Sequence, residues 1–175
     1  EATHEAIAGA LRSMNAPVVD GPGQEGPSRV EIRGFDGATG PPLLDVPDPF
    51  GEPRPPGGRH AVHFHDGTPL RIPLVPGEYQ VVVSRGSEYE LFETSVDIDQ
   101  GADFPLTPAL DRVVDSAGTL CGDFHIHTHR SNDSPDDARE KVRAAVADGL
   151  ELPVRSEHEY PGSFAREIAE LGLED

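Results

Sequence analysis

Residues 36 to 58, "DGATGPPLLDVPDPFGEPRPPGG", carry seven prolines and five glycines. Proline has a fixed φ and no backbone N–H, so neither a central strand nor a helix interior tolerates this run. It reads as a long surface loop, and any sheet must be assembled from strands on either side of it. The bias extends to the whole chain, which has 19 Gly, 18 Pro and only 35% apolar residues. That composition predicts a modest core, with β-structure and long connections. The 175 residues bound the architecture to one ordinary domain, or a small domain and part of another.

Before the loop, Ile7, Leu11 and Met14 fall on one helical face and predict a short amphipathic helix over 4 to 14, weakened by Gly9. "VVDGPGQEGPS" then reads as a linker, so residues 1 to 27 are a helix and linker. From Arg29 the period is two. Val30 and Ile32 face a core, while Arg29, Glu31 and Arg33 face outward. Strand patterns recur at 60 to 65, 70 to 74, 79 to 83 and 88 to 98. In "VPGEY", Pro76 and Gly77 suit the two central positions of a type II turn. Residues 28 to 112 are expected to form a small all-β sandwich.

The pattern changes after about residue 112. "DRVVDSAGTLCGDFHIH" supplies a strand, and Ser134 with Asp137 predicts a capping box around Pro135. Ala138, Val142, Ala145 and Val146 form the buried stripe of the following helix, which Gly149 ends. "LELPVRS" is a second strand, and Phe164, Ile168 and Leu171 begin a second helix. Residues 113 to 175 thus read as β-α-β-α with parallel strands, giving a mixed fold class overall.

The chemistry lies in "CGDFHIHTHRSNDS", residues 121 to 134. Alternate strand residues share a face, so Asp123, His125, His127 and His129 can point the same way. Neutral imidazoles at this spacing suit zinc, iron and related divalent metals, and carboxylates complete such sites. Asp133 can reach back over the strand end, and "SEHEY" brings Glu157 and His158 to the end of the second strand. Parallel α/β proteins bind ligands at strand carboxyl ends. A second His-x-His, His63 and His65 beside Asp66, lacks that context and reads as a solvated strand face. Cys121, the single cysteine, excludes an internal disulfide and reads as packing beside the strand rather than as a ligand.

With its His-x-His-Thr run, Ser-x-Asp loop, helix, short strand and Glu-His pair, the stretch from 121 to about 160 resembles the PHP family. These are the metal-dependent hydrolases of the polymerase and histidinol phosphatase superfamily. The resemblance implies a distorted α/β barrel whose strand ends hold two or three ions of zinc, manganese or iron. It makes His125 and His127 ligands of one ion, and Asp133 and His158 ligands of another. Glu157 stands where the family usually has Asp, keeping the charge on a longer arm. His129 matches no required position and is implied to be a loop or outer residue. Upstream, "LVPGEYQVVVSRGSEYE" leading into "RVVD" is similar to the carbaryl hydrolase branch, which is secreted or periplasmic. "PGEY" by itself resembles carboxypeptidase-regulatory-like sandwiches. The family's later ligands follow a third strand, so residues 113 to 175 are expected to be the incomplete N-terminal part of the barrel, inactive alone. It would act on a small-molecule ester or phosphoester once completed by the rest of the barrel.

Charge narrows the partners. Fourteen basic against thirty-two acidic residues give −18, a field that repels nucleic acid and anionic membranes. No stretch has the length of a membrane span or the plan of a signal peptide. The start at Glu1 fits removal of a leader, hence a secreted or periplasmic location, and fits a segment boundary equally well; the cytoplasm stays open. Two other functions compete with hydrolysis. One is a noncatalytic module that binds another chain or itself, and the other is a metal bound structurally.

Overall fold

The computed structural model describes residues 12–16, 26–34, 59–67, 70–74, 77–99 and 104–174. The expected loop at 36 to 58 and the first part of the expected N-terminal helix lie outside them. The described chain is mixed, with more strand than helix. Strands β3 (Arg59–His65), β2 (Ser28–Gly34), β5 (Gly77–Ser84) and β6 (Phe92–Ile98) form a four-stranded antiparallel sheet in that order. A second antiparallel pair joins β1 (Arg12–Ala16) to β4 (Leu70–Leu74). Farther along, β7 (Gly122–Ile126) and β8 (Leu152–Arg155) pair in parallel. Helix α1 (Ala138–Ala147) connects them, and α2 (Ala165–Leu171) follows.

Period-two patterning explains the larger core. Val30 and Ile32 of β2, Tyr79, Val81 and Val83 of β5, and Val96 and Ile98 of β6 line one face of the sheet. Ile72 and Leu74 of β4 join them, as do Leu106 and Leu110 from the segment after β6, so both antiparallel sheets share this core. Each fully buried aliphatic side chain contributes about 1.5–3 kcal/mol. A smaller cluster of Ile126, Ala138, Val142 and Phe164 packs α1 and α2 onto β7, with Ile168 and Leu171 at its margin.

Several expectations are corrected. Residues 12 to 14 are strand rather than helix. Ser13 and Asn15 have weak helix propensity, and Met14 pairs with Ile72 in the ladder. The face of β2 expected to meet solvent is covered, because α1 packs against β3 and β2. Glu31 is consequently buried between Arg29 and Arg33, at 3.3 and 2.7 Å. His63 and His65 are not a solvated face either. They pair across the sheet with Val30 and Ser28, which sets both imidazoles on the core side. His65 is buried, and burial pushes the His63 imidazole pKa down. Gly77 already belongs to β5, opposite Ile98, with φ 152° rather than the roughly +80° of a type II turn; residues 75 and 76 lie outside the described set. Helix α1 starts after Asp137, whose side chain caps it by accepting from the Arg139 N–H at 2.8 Å. Ser134 instead donates its hydroxyl to the His127 carbonyl, at 3.2 Å.

Two further contacts join helix α1 to the four-stranded sheet. Arg143 donates to Asp66 at the end of β3, at 2.7 Å. Gly86, after β5, sits against Gly149, after α1, and both have positive φ, 64° and 78°. A Cβ on Gly86 would lie 2.7 Å from the Asp148 carbonyl oxygen. Gly86→Ala is therefore expected to lower unfolding free energy by about 2 kcal/mol or more, since the left-handed backbone alone costs roughly 1–2. Gly118→Ala, at φ 83° with open space around it, should lose only the backbone part. Denaturant unfolding of the two variants side by side checks this.

Candidate metal centre

The parallel pairing of β7 and β8 puts their carboxyl ends side by side. Ile126 is in register with Arg155, and the Ser156 N–H donates to the Ile126 carbonyl at 2.9 Å. His127 follows one end directly, and Glu157 and His158 follow the other. Between His127 and Asp133 the chain turns back on itself. The Ser131 N–H donates to the Thr128 carbonyl at 2.8 Å, and the His129 N–H donates to the Asp136 carbonyl at 2.7 Å. This turn carries Asp133 over the strand end.

Three side chains converge there. His127 Nδ1 lies 3.0 Å from Asp133 Oδ1, and His158 Nε2 lies 3.0 Å from Asp133 Oδ2. One donor atom from each of the three lies within 4.8 Å of the others, the sole such group among the described residues. Ligands on tetrahedral zinc, with bonds of 2.0–2.1 Å, sit about 3.3 Å apart, so both close pairs fit neighbouring vertices. The same contacts are hydrogen bonds when the ring nitrogens carry protons. Hydrogen bonds from His158 and then His127 hold the Asp133 carboxyl below its ordinary pKa, so it stays anionic at neutral pH. His127 is mostly buried while Asp133 and His158 are half exposed, which leaves the group open to an ion from solvent.

His125 and Glu157 lie outside this three-donor group. The His125 ring is exposed and sits beside His127, with centroids 4.8 Å apart and a tilt of 36°. His127, which the resemblance pairs with His125, lies against Asp133 and His158 as well. Glu157 is held within the protein. Its side chain is fully buried and receives four donors: the Thr128 N–H at 3.0 Å, the Thr128 hydroxyl, the Ser131 hydroxyl at 2.6 Å and Arg155 Nε at 2.6 Å. Burial pushes its pKa up, but the bonds from Ser131, Thr128 and Arg155 overcome this and hold the carboxyl far below the usual carboxylate range. The Ser131 oxygen also accepts from the His158 N–H, at 3.0 Å. Glu157 therefore ties the turn bearing Asp133 to the strand end bearing His158.

The Thr128, Ser131 and Arg155 roles were missed in the sequence. The one signal for them was the pair of hydroxyls at 128 and 131 after the histidine run, facing a Glu 26 to 29 residues on. Asp123 accepts from the His125 N–H at 2.9 Å and takes no part in the cluster. His129 is an exposed loop residue, 3.9 Å from Asp137. Cys121 is exposed rather than packed, and its backbone pairs with Glu151. Among the described residues no helix is long and apolar enough to cross a membrane. The chain matches no protein-family model, no curated protein and no solved structure.

Proposed function

We propose that this chain carries the first metal-binding unit of a metal-dependent ester hydrolase of the PHP type. In this reading a β-sandwich over residues 28 to 112 precedes the opening β-α-β-α units of the hydrolase domain, in a secreted or periplasmic protein. The observation that carries it is the convergence of His127, Asp133 and His158 at the carboxyl ends of two parallel strands, where such folds bind ligands. These three residues hold a divalent ion of zinc, manganese or iron, and His125 stands beside them. When bound, the ion supplies Lewis acidity and an acidified water for attack on a phosphoester, carboxylic ester or carbamate. Asp133 supplies negative charge, and the Glu157 network holds the two histidine-bearing strand ends at fixed separation.

The test is hydrolysis of an aryl phosphate and an aryl carbamate with each metal added to the chelator-stripped longer protein that completes the barrel, because this unit is expected to be inactive alone. Turnover that rises with metal and vanishes in His158→Ala is the expected result. Turnover indifferent to chelation contradicts the proposal, and so does a complete lack of metal-dependent turnover. In the latter case an ion retained by the three donors is structural, joining the turn to the strand end. A second reading, docking of another chain, is favoured by Phe124 and Leu152, which are 68% and 42% exposed on the paired strands β7 and β8. Parallel sheets are normally covered on both faces.

A further inference from the structure

A second cleft, of about 580 Å³, opens beside the same turn, and none of His127, Asp133 or His158 lines it. Four guanidiniums gather at its walls, from Arg130, Arg139, Arg155 and Arg166, in a chain with only fourteen basic residues against thirty-two acidic ones. Three of them are committed. Arg155 is buried against Glu157, and Arg139 and Arg166 both reach Glu170. Arg130 is different. It is exposed, it has no carboxylate partner among the described residues, and its guanidinium lies over the Tyr160 ring, 5.3 Å from the centroid.

A guanidinium held over an aromatic ring keeps N–H groups to donate, and the ring restricts it in advance, so less freedom is lost when it binds. That fork matches an oxyanion in bidentate fashion. Two hydroxyls line the same cleft, those of Tyr160 and Ser163. The Ser163 oxygen accepts from the Ala165 N–H at 3.1 Å, which leaves its own proton to donate. A carboxylate offers two oxygens to such a set, and a phosphate offers three. Of the carboxylates at the cleft, Asp137 caps α1 and Glu170 pairs with Arg139 and Arg166, while Glu167 acts on Arg166 only through its charge.

We propose that this cleft is a phosphate site, in which Arg130, held over the Tyr160 ring, takes the phosphate group of a small molecule, separate from the metal centre. Calorimetric titration of chelator-stripped protein with inorganic phosphate tests it. Saturable one-to-one binding is expected, weakened at least about tenfold in Arg130→Ala and retained in His127→Ala. Arg130→Lys, which keeps the charge but not the fork, should recover part of the affinity. Phenyl phosphate titrated in parallel separates the sources: tighter binding than inorganic phosphate marks an esterified ligand, and equal binding marks the free ion. Arg130 is exposed, so the variant keeps its fold, and a matching thermal melt verifies this. Absence of saturable binding at millimolar phosphate overturns the proposal. Binding that survives Arg130→Ala but disappears in His127→Ala overturns it as well, by moving the anion to the metal donors.

Discussion

His127→Ala and His158→Ala are each expected to weaken zinc binding by at least about a hundredfold. Even residues that only orient ligands are worth ten- to a hundredfold in metal affinity, and in the proposed site these two are the donors themselves. The same variants should remove the stabilisation that zinc gives the native state, about 2.7 kcal/mol at a free concentration one hundred times Kd. His129→Ala, altering an exposed loop histidine outside the cluster, should bind zinc as the parent does. Thermal melts with and without chelator report all three variants in one experiment. Equal affinity across the set would remove the metal centre from the account.

The second large effect concerns Glu157. Its substitution by glutamine leaves the Arg155 guanidinium, itself only 8% exposed, without a counter-charge, and a neutral amide cannot accept from every donor that Glu157 serves. Breaking a buried pair in this way costs about 3–5 kcal/mol, a large share of the 5–15 kcal/mol that holds an ordinary domain together. Glu170→Gln, at the exposed contacts with Arg139 and Arg166, should cost far less, because water and salt already screen those charges. The pH dependence follows from the direction of the Glu157 shift. Its native pKa lies below the unfolded value of about 4.3, so the carboxylate stabilises the fold fully above that value. That stabilisation is lost as pH falls toward the native pKa. Unfolding free energy measured from pH 7 into acid should therefore decline in the parent and decline less in Glu157→Gln.

These two effects mark where the sequence was informative and where it was not. Alternation around Val30, Val81 and Val96 was enough to find the strands, because one face of each meets a core, although β6 begins at Phe92 rather than at residue 88. It did not say what covers the other face, so Glu31 was taken to be solvated when α1 buries it. Helical spacing at Met14 misled for a related reason, since pairing with Ile72 across more than fifty residues decides that segment. At the site, the sequence brought His127, Asp133 and His158 to one end of the strands, where the structure has them close together. The hydrogen bonds that Glu157 accepts were not legible. They depend on the positions of Thr128, Ser131 and Arg155, which the register of β7 with β8 sets.

His127, His158 and Asp133 are proposed to hold one ion by two imidazoles and a carboxylate. X-ray absorption at the zinc edge, on protein dialysed against one equivalent of zinc, tests that arrangement directly. The predicted spectrum has nitrogen and oxygen neighbours at about 2.0–2.1 Å, with scattering from two imidazole rings and one ring fewer in His158→Ala. Zinc lost on dialysis, or a spectrum unchanged in a variant lacking both His127 and His158, would contradict the account.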